Sequence, residues 1–442
     1  PADDDTAVFD NSGTGPATQD IASLALANLN MTGHTGNLII STATSTDTAT
    51  IAGGTISVNA NLTVNNAGLS VNATSVVIAT GATLQAAAGT GNTTIGGGAV
   101  SVSTGGLLDV NNNLVLDGSL TVTGSLDLEG TLTGTGGTLT GAGSVDVAGA
   151  VVNLDDIATT LSGAGIFTLS STGTVALTVD TGAGDTFNNL TNSAGGLVTV
   201  STGRINTTGA LVSAQSMTLA NGQGAVIGGA MTLTAGTFTG DGGTVSVGGV
   251  LDWSGATVDF TTNATGLTLT GAGSLNATLN TQSIAGLTVN TTGTRTVTDS
   301  LTATSVTVTA GSLTLSGAAN AVSGDVDLSN ASAGNFTLGG PLTVGGDFDL
   351  SGATGFSHGF NAVTLNGDAD QTLTPGTIVP STRTFAALTI NQNTPSTVTI
   401  ANGIEVTPGA LTLTAATLVD FGGNNVTVAG ATAFTGPAVT IS

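Results

Sequence analysis

Two histidines, three arginines and 27 acidic residues are nearly the whole reactive inventory of this 442-residue chain, which lacks cysteine, tyrosine and lysine. General acid–base and nucleophilic chemistry need a His, Lys, Cys or Tyr beside a carboxylate. His34 and His358 stand far apart and neither belongs to a metal-binding spacing, so each reads as an isolated loop or surface residue. A glycosidase asks only for two carboxylates, but sugar platforms want aromatic surface, and Trp253 is the single tryptophan. No catalytic residue and no required cofactor is expected; the chain reads as a non-enzyme.

Carboxylates two apart occur at Asp127/Glu129, Asp325/Asp327, Asp347/Asp349 and Asp368/Asp370. On a strand this spacing puts both side chains on one face, within reach of a shared Ca²⁺. A solvated face whose like charges keep strand edges apart is the simpler account. The Asp3, Asp4, Asp5 run is a further contact for a cation or a neighbouring subunit. Calcium is thus the one metal nominated, at Asp3, Asp4, Asp5, Asp347 and Asp349. Thr-x-Thr pairs at Thr133/Thr135, Thr138/Thr140, Thr232/Thr234, Thr307/Thr309 and Thr412/Thr414 invite comparison with the flat Thr ladders by which some solenoids order water. The pairs do not keep a single rung spacing along the sequence, so an ice-binding solenoid is a minor alternative.

The elements that must position these groups are short strands. Period-2 alternation of apolar and small polar residues recurs, as in Thr55-Ile-Ser-Val, Ser119-Leu-Thr-Val, Ser125-Leu-Asp-Leu and Ala410-Leu-Thr-Leu, the signature of half-buried strands. Gly, Asn or Asp follows within a few residues, supplying turns, so strand and turn alternate about every ten residues. With 39% hydrophobic but only 3% aromatic residues, the core must be built of Val, Leu, Ile and Ala. At 7% charged and apolar on average, the chain is not of the disordered class.

A net charge of −24 without lysine excludes a phosphate-backbone or anionic-membrane partner, because both need clustered Lys and Arg, and Arg204, Arg295 and Arg383 are scattered. No apolar run reaches the roughly 18 residues of a membrane-spanning helix; the longest helix-like stretch, 21–29, is too short. Pro1 opens onto acidic residues with no basic region or apolar core, so the N-terminus reads as already processed.

A longer repeat overlies the short one. The segment VGGVLDWSGAT from Val247 matches VGGDFDLSGAT from Val344, and Leu190, Leu287 and Leu388 fall about one hundred residues apart within similar blocks. Such self-similarity marks a repeat architecture. The expected organisation is an N-terminal cap or arm over 1–35, a regular short-strand solenoid over 36–185, long repeats over 186–285 and 286–385, and a partial repeat with a C-terminal cap over 386–442. The fold class expected is all-β, a parallel β-solenoid, with tandem β-sandwiches of about one hundred residues as the alternative.

On these blocks, most clearly GSLTVTGSLDLEGTLTGTGGTLTGAGSVDVAG within 98–149, the chain resembles bacterial surface β-solenoids: filamentous-haemagglutinin-like and autotransporter-passenger repeats, and some surface-layer proteins. The resemblance implies a secreted, cell-surface location and a role in adhesion or assembly. The expected function is a self-assembling structural subunit of a layer, filament or matrix, whose partners are copies of itself joined through strand edges or rod ends. The alternative is an adhesin stalk presenting a tip to a surface glycan or host ligand.

Overall fold

The alternating blocks form strands, and every described pairing between them, from Thr6↔Asn28 to Val419↔Ile441, is parallel. The computed structural model describes residues 6–8, 17–19, 24–30, 37–40, 44–52, 54–65, 69–72, 75–87, 91–179, 185–220, 222–260, 265–276, 284–330, 332–376, 383–393, 396–414, 418–434 and 440–441. The fold is a parallel β-solenoid, 57% strand, with about 17 turns in all. Two compact units divide it, Pro1–Val226 and Ile227–Ser442. Sandwich sheets are antiparallel, so the tandem-sandwich alternative is excluded.

In the first unit one inward column runs through Leu62, Leu84, Leu108, Leu126, Val145, Phe167, Leu190 and Leu211, each stacked on the next in register. All are at most 1% exposed. Alternation dictates this: in Ser125–Leu128 the burial order is half-buried, buried, exposed, buried, so Leu126 and Leu128 point in and Asp127 points out. A typical turn carries three short strands, such as Leu107–Val110, Leu114–Leu116 and Ser119–Val122. The ladder starts early, since Leu24–Asn30, which overlaps the helix-like stretch, is a strand paired with Thr44–Ile51.

The second unit repeats the design. Val245, Leu267, Leu287, Val306, Val326, Phe348, Leu373 and Ile400 form a column whose steps are 19 to 27 residues. A second column carries Val322, Val344, Leu365, Ile390 and Leu413. The matched segments from Val247 and Val344 therefore occupy different ladders, because Val247 stacks on Leu269 and Val289 while Val344 stacks on Val322. The 97-residue offset between them copies a corner sequence, Val-Gly-Gly into a strand ending in Asp, from one corner of the solenoid to another.

Aromatic residues thicken the core locally. Trp253 and Phe260 meet edge to face at 5.8 Å, and Phe336, Phe348, Phe356 and Phe385 form a contiguous cluster. Among the described residues of the second unit, one buried side chain is charged. Arg295 sits between Gly273 and Leu313 in register, is fully buried, and sends its guanidinium past Gly273 to the carbonyls of Gly249 (2.6 Å), Val247 (2.9 Å) and Gly248 (3.1 Å). Gly273, at φ +150°, leaves the passage open: a Cβ there would lie 3.2 Å from Nη1.

Candidate functional site

Corner residues with short amide or carboxylate side chains clamp one turn to the next. Asn61, Asn113 and Asp117 accept the backbone N–H of Thr83, Thr131 and Thr135 through Oδ1 at 3.1, 3.0 and 2.7 Å. In the second unit the N–H of Asp347 donates to Asp325 (2.8 Å), and the Asp347 carboxylate accepts from Thr372 (2.7 Å). Asp349 accepts from Ser351, two residues on, at 2.8 Å. The sequence-nominated Asp347 and Asp349 thus share a strand end, each with one carboxylate oxygen engaged by backbone. Asp3, Asp4, Asp5 and His34 lie outside the described residues. Among the described residues no three His, Asp or Glu side chains gather as a metal site.

Outward positions form columns as regular as the inward ones. Asp109, Asp127 and Asp146 follow one another in register. Gln85 donates to Asp109 (2.6 Å) and Ser170 to Asp146 (2.5 Å), bracketing the run. Partial desolvation, and then the charges of Asp146, Asp109 and Glu129, raise the Asp127 carboxyl above its ordinary pKa. On another face of the first unit, two columns stand side by side: Thr55, Ser75, Ala99, Ser119, Thr138, Ala158, and Ser57, Val77, Ser101, Thr121, Thr140, Thr160. Thr138/Thr140 stacks on Ser119/Thr121 and on Ala158/Thr160, while Thr133, Thr232, Thr307 and Thr412 belong to other ladders, so the Thr-x-Thr pairs form no continuous ladder among the described residues.

The site with the most distinctive chemistry is a turn in the second unit. The His358 carbonyl accepts the N–H of Asn361 at 2.8 Å, and Gly359 and Phe360 take φ +55° and +62°, the geometry of a type I′ turn, which favours Asn-Gly or Gly-Gly. Phe360 is the one described non-glycine residue with positive φ, at a backbone cost of roughly 1–2 kcal/mol. Its ring is nonetheless 83% exposed, so burial does not offset the strain. The Phe360 N–H donates to His358 Nδ1 at 3.1 Å, which leaves the ring hydrogen on Nε2. Burial lowers the His358 pKa, keeping the imidazole neutral at neutral pH. Phe356, His358 and Phe360 form a ring series with centroid spacings of 6.4 and 6.1 Å. They border a notch of about 610 Å³ also lined by Asn335, Thr337, Ser357 and Thr384.

No family model, curated protein or solved structure matches the chain.

In the sequence His358 reads as an isolated histidine, and Phe360 carries no motif of its own. The available signal was local ring density: Phe356, His358 and Phe360 put three rings within five residues of a chain that is 3% aromatic. Arg295 was likewise read only as a scattered cation. Its two-residue spacing from the inward Val297 was the clue to burial.

Proposed function

We propose that this chain is a non-enzymatic structural protein of the extracellular surface, a self-associating subunit of a layer, filament or matrix. The observation that carries the reading is the unbroken inward column in each unit: residue after residue is spent on repeating a rung. Parallel strands in register present the same N–H and C=O pattern at any edge left unpaired, which is a template for a second copy. The acidic balance spaces such molecules in solution, and corner carboxylates such as Asp347 and Asp349 could take bridging Ca²⁺ from a second copy. Electron microscopy of the purified chain, with calcium and with chelator, tests this: regular filaments or sheets are expected, and isolated particles would favour the adhesin-stalk alternative.

A second reading draws on the paired columns of Thr, Ser, Ala and Val between Thr55 and Thr160, which set hydroxyls and methyls in register on one face where they could order water. Thermal hysteresis and ice-recrystallisation assays test it. Loss of hysteresis in the Thr121→Lys/Thr140→Lys double variant is the expected result, and absence of activity in the parent chain removes the reading.

A further inference from the structure

We propose that the notch at the His358–Phe360 turn binds an uncharged pyranose sugar. The turn holds a phenyl ring in water on a backbone that favours glycine, an arrangement that contributes nothing to the core and places one flat apolar face at the mouth of the notch. A pyranose has a matching C–H face, which packs on aromatic rings, and a girdle of hydroxyls that need partners. The partners are present around the ring. Thr337 and Ser357 are neighbours in register, so their side chains stand one strand spacing apart, about 4.8 Å, and His358 offers Nε2–H because Nδ1 is occupied by the Phe360 N–H. Asn335 adds an amide at the same rim.

Charge selects the class. Among the described residues the lining holds no carboxylate and no arginine, and the chain carries −24 overall, so a uronate or phosphate ligand would be repelled with no cation in that lining to receive it. An uncharged sugar loses nothing to that field. A volume of about 610 Å³ falls within the range of small-ligand sites and accommodates a disaccharide-sized segment. The inference extends the scaffold reading and holds whether or not the chain polymerises, so failure of one leaves the other standing.

The test is saturation-transfer NMR and titration calorimetry on the full chain with cellotetraose, chitotetraose and β-1,4-galactotetraose, and with tetragalacturonate as the charged control. At least one uncharged probe should bind with Kd of about 1 mM or tighter. Phe360→Ala should weaken it about tenfold or more, Phe360→Tyr should retain it, and His358→Ala should weaken it severalfold. Phe360→Gly, which removes the ring and relieves the backbone, should also lose binding with no fall in Tm, separating ligand loss from unfolding. Binding of none of the three uncharged probes at 10 mM, about tenfold above that Kd, tighter binding of tetragalacturonate, or undiminished binding by Phe360→Gly would each overturn the proposal.

Discussion

Arg295 is the residue whose environment departs furthest from its chemistry. A buried guanidinium without a carboxylate costs stability unless its donors are satisfied. Here three carbonyls, of Val247, Gly248 and Gly249, receive Nη1 and Nη2, while Nε has no partner. Burial accordingly pushes its pKa below the ordinary guanidinium value. Arg295→Met keeps bulk but removes the donor to the Gly248 and Gly249 carbonyls, while the Val247 carbonyl keeps the Thr270 N–H, and should cost about 1–3 kcal/mol in thermal unfolding. Gly273→Ala should destabilise the parent chain and cost less in the Arg295→Met background, since part of its effect is the approach to Nη1; equal cost in both backgrounds would show that the backbone alone needs glycine there. At the turn, Phe360→Gly should be more stable than Phe360→Ala by about 1 kcal/mol, because only glycine relieves the positive φ.

At the scale of the strand, register converts sequence accidents into ladders. Leu62 through Leu211 was legible as apolar alternation, and so were the Gly, Asn and Asp corners. Their vertical partners were not, because the step from one rung to the next varies between 18 and 24 residues in that column. Pairing therefore had to be seen before the columns through Asp127 or Thr140 could be recognised. The Asp109–Asp127–Asp146 column has a pH signature. A carboxyl whose folded pKa lies above its unfolded value favours the folded state most at low pH. That contribution falls as pH rises from the ordinary 3.8 through the raised value, then levels off. Asp127→Asn should thus match the parent Tm in acid and exceed it at neutral pH, by a few tenths to about 1 kcal/mol for relief of like charges across neighbouring strands. A constant Tm difference across that range would locate the effect elsewhere.

For the molecule as a whole, fold class was readable because composition left few choices: a core without aromatics in quantity, strands of three or four residues, and glycine at the corners lead to stacked rungs. The long repeat was visible too, but its meaning was not, since Val247 and Val344 serve different ladders of one unit. The binding notch was illegible for a different reason: it depends on Thr337 and Ser357 becoming neighbours across twenty residues and on a turn conformation that Gly359-Phe360 does not advertise. The central claim, that a chain invested in repeated rungs serves to assemble, is tested most directly by imaging the purified protein in calcium by electron microscopy at high concentration. Regular filaments or sheets with a constant lateral repeat are the predicted result. A field of monodisperse single particles under those conditions would contradict it.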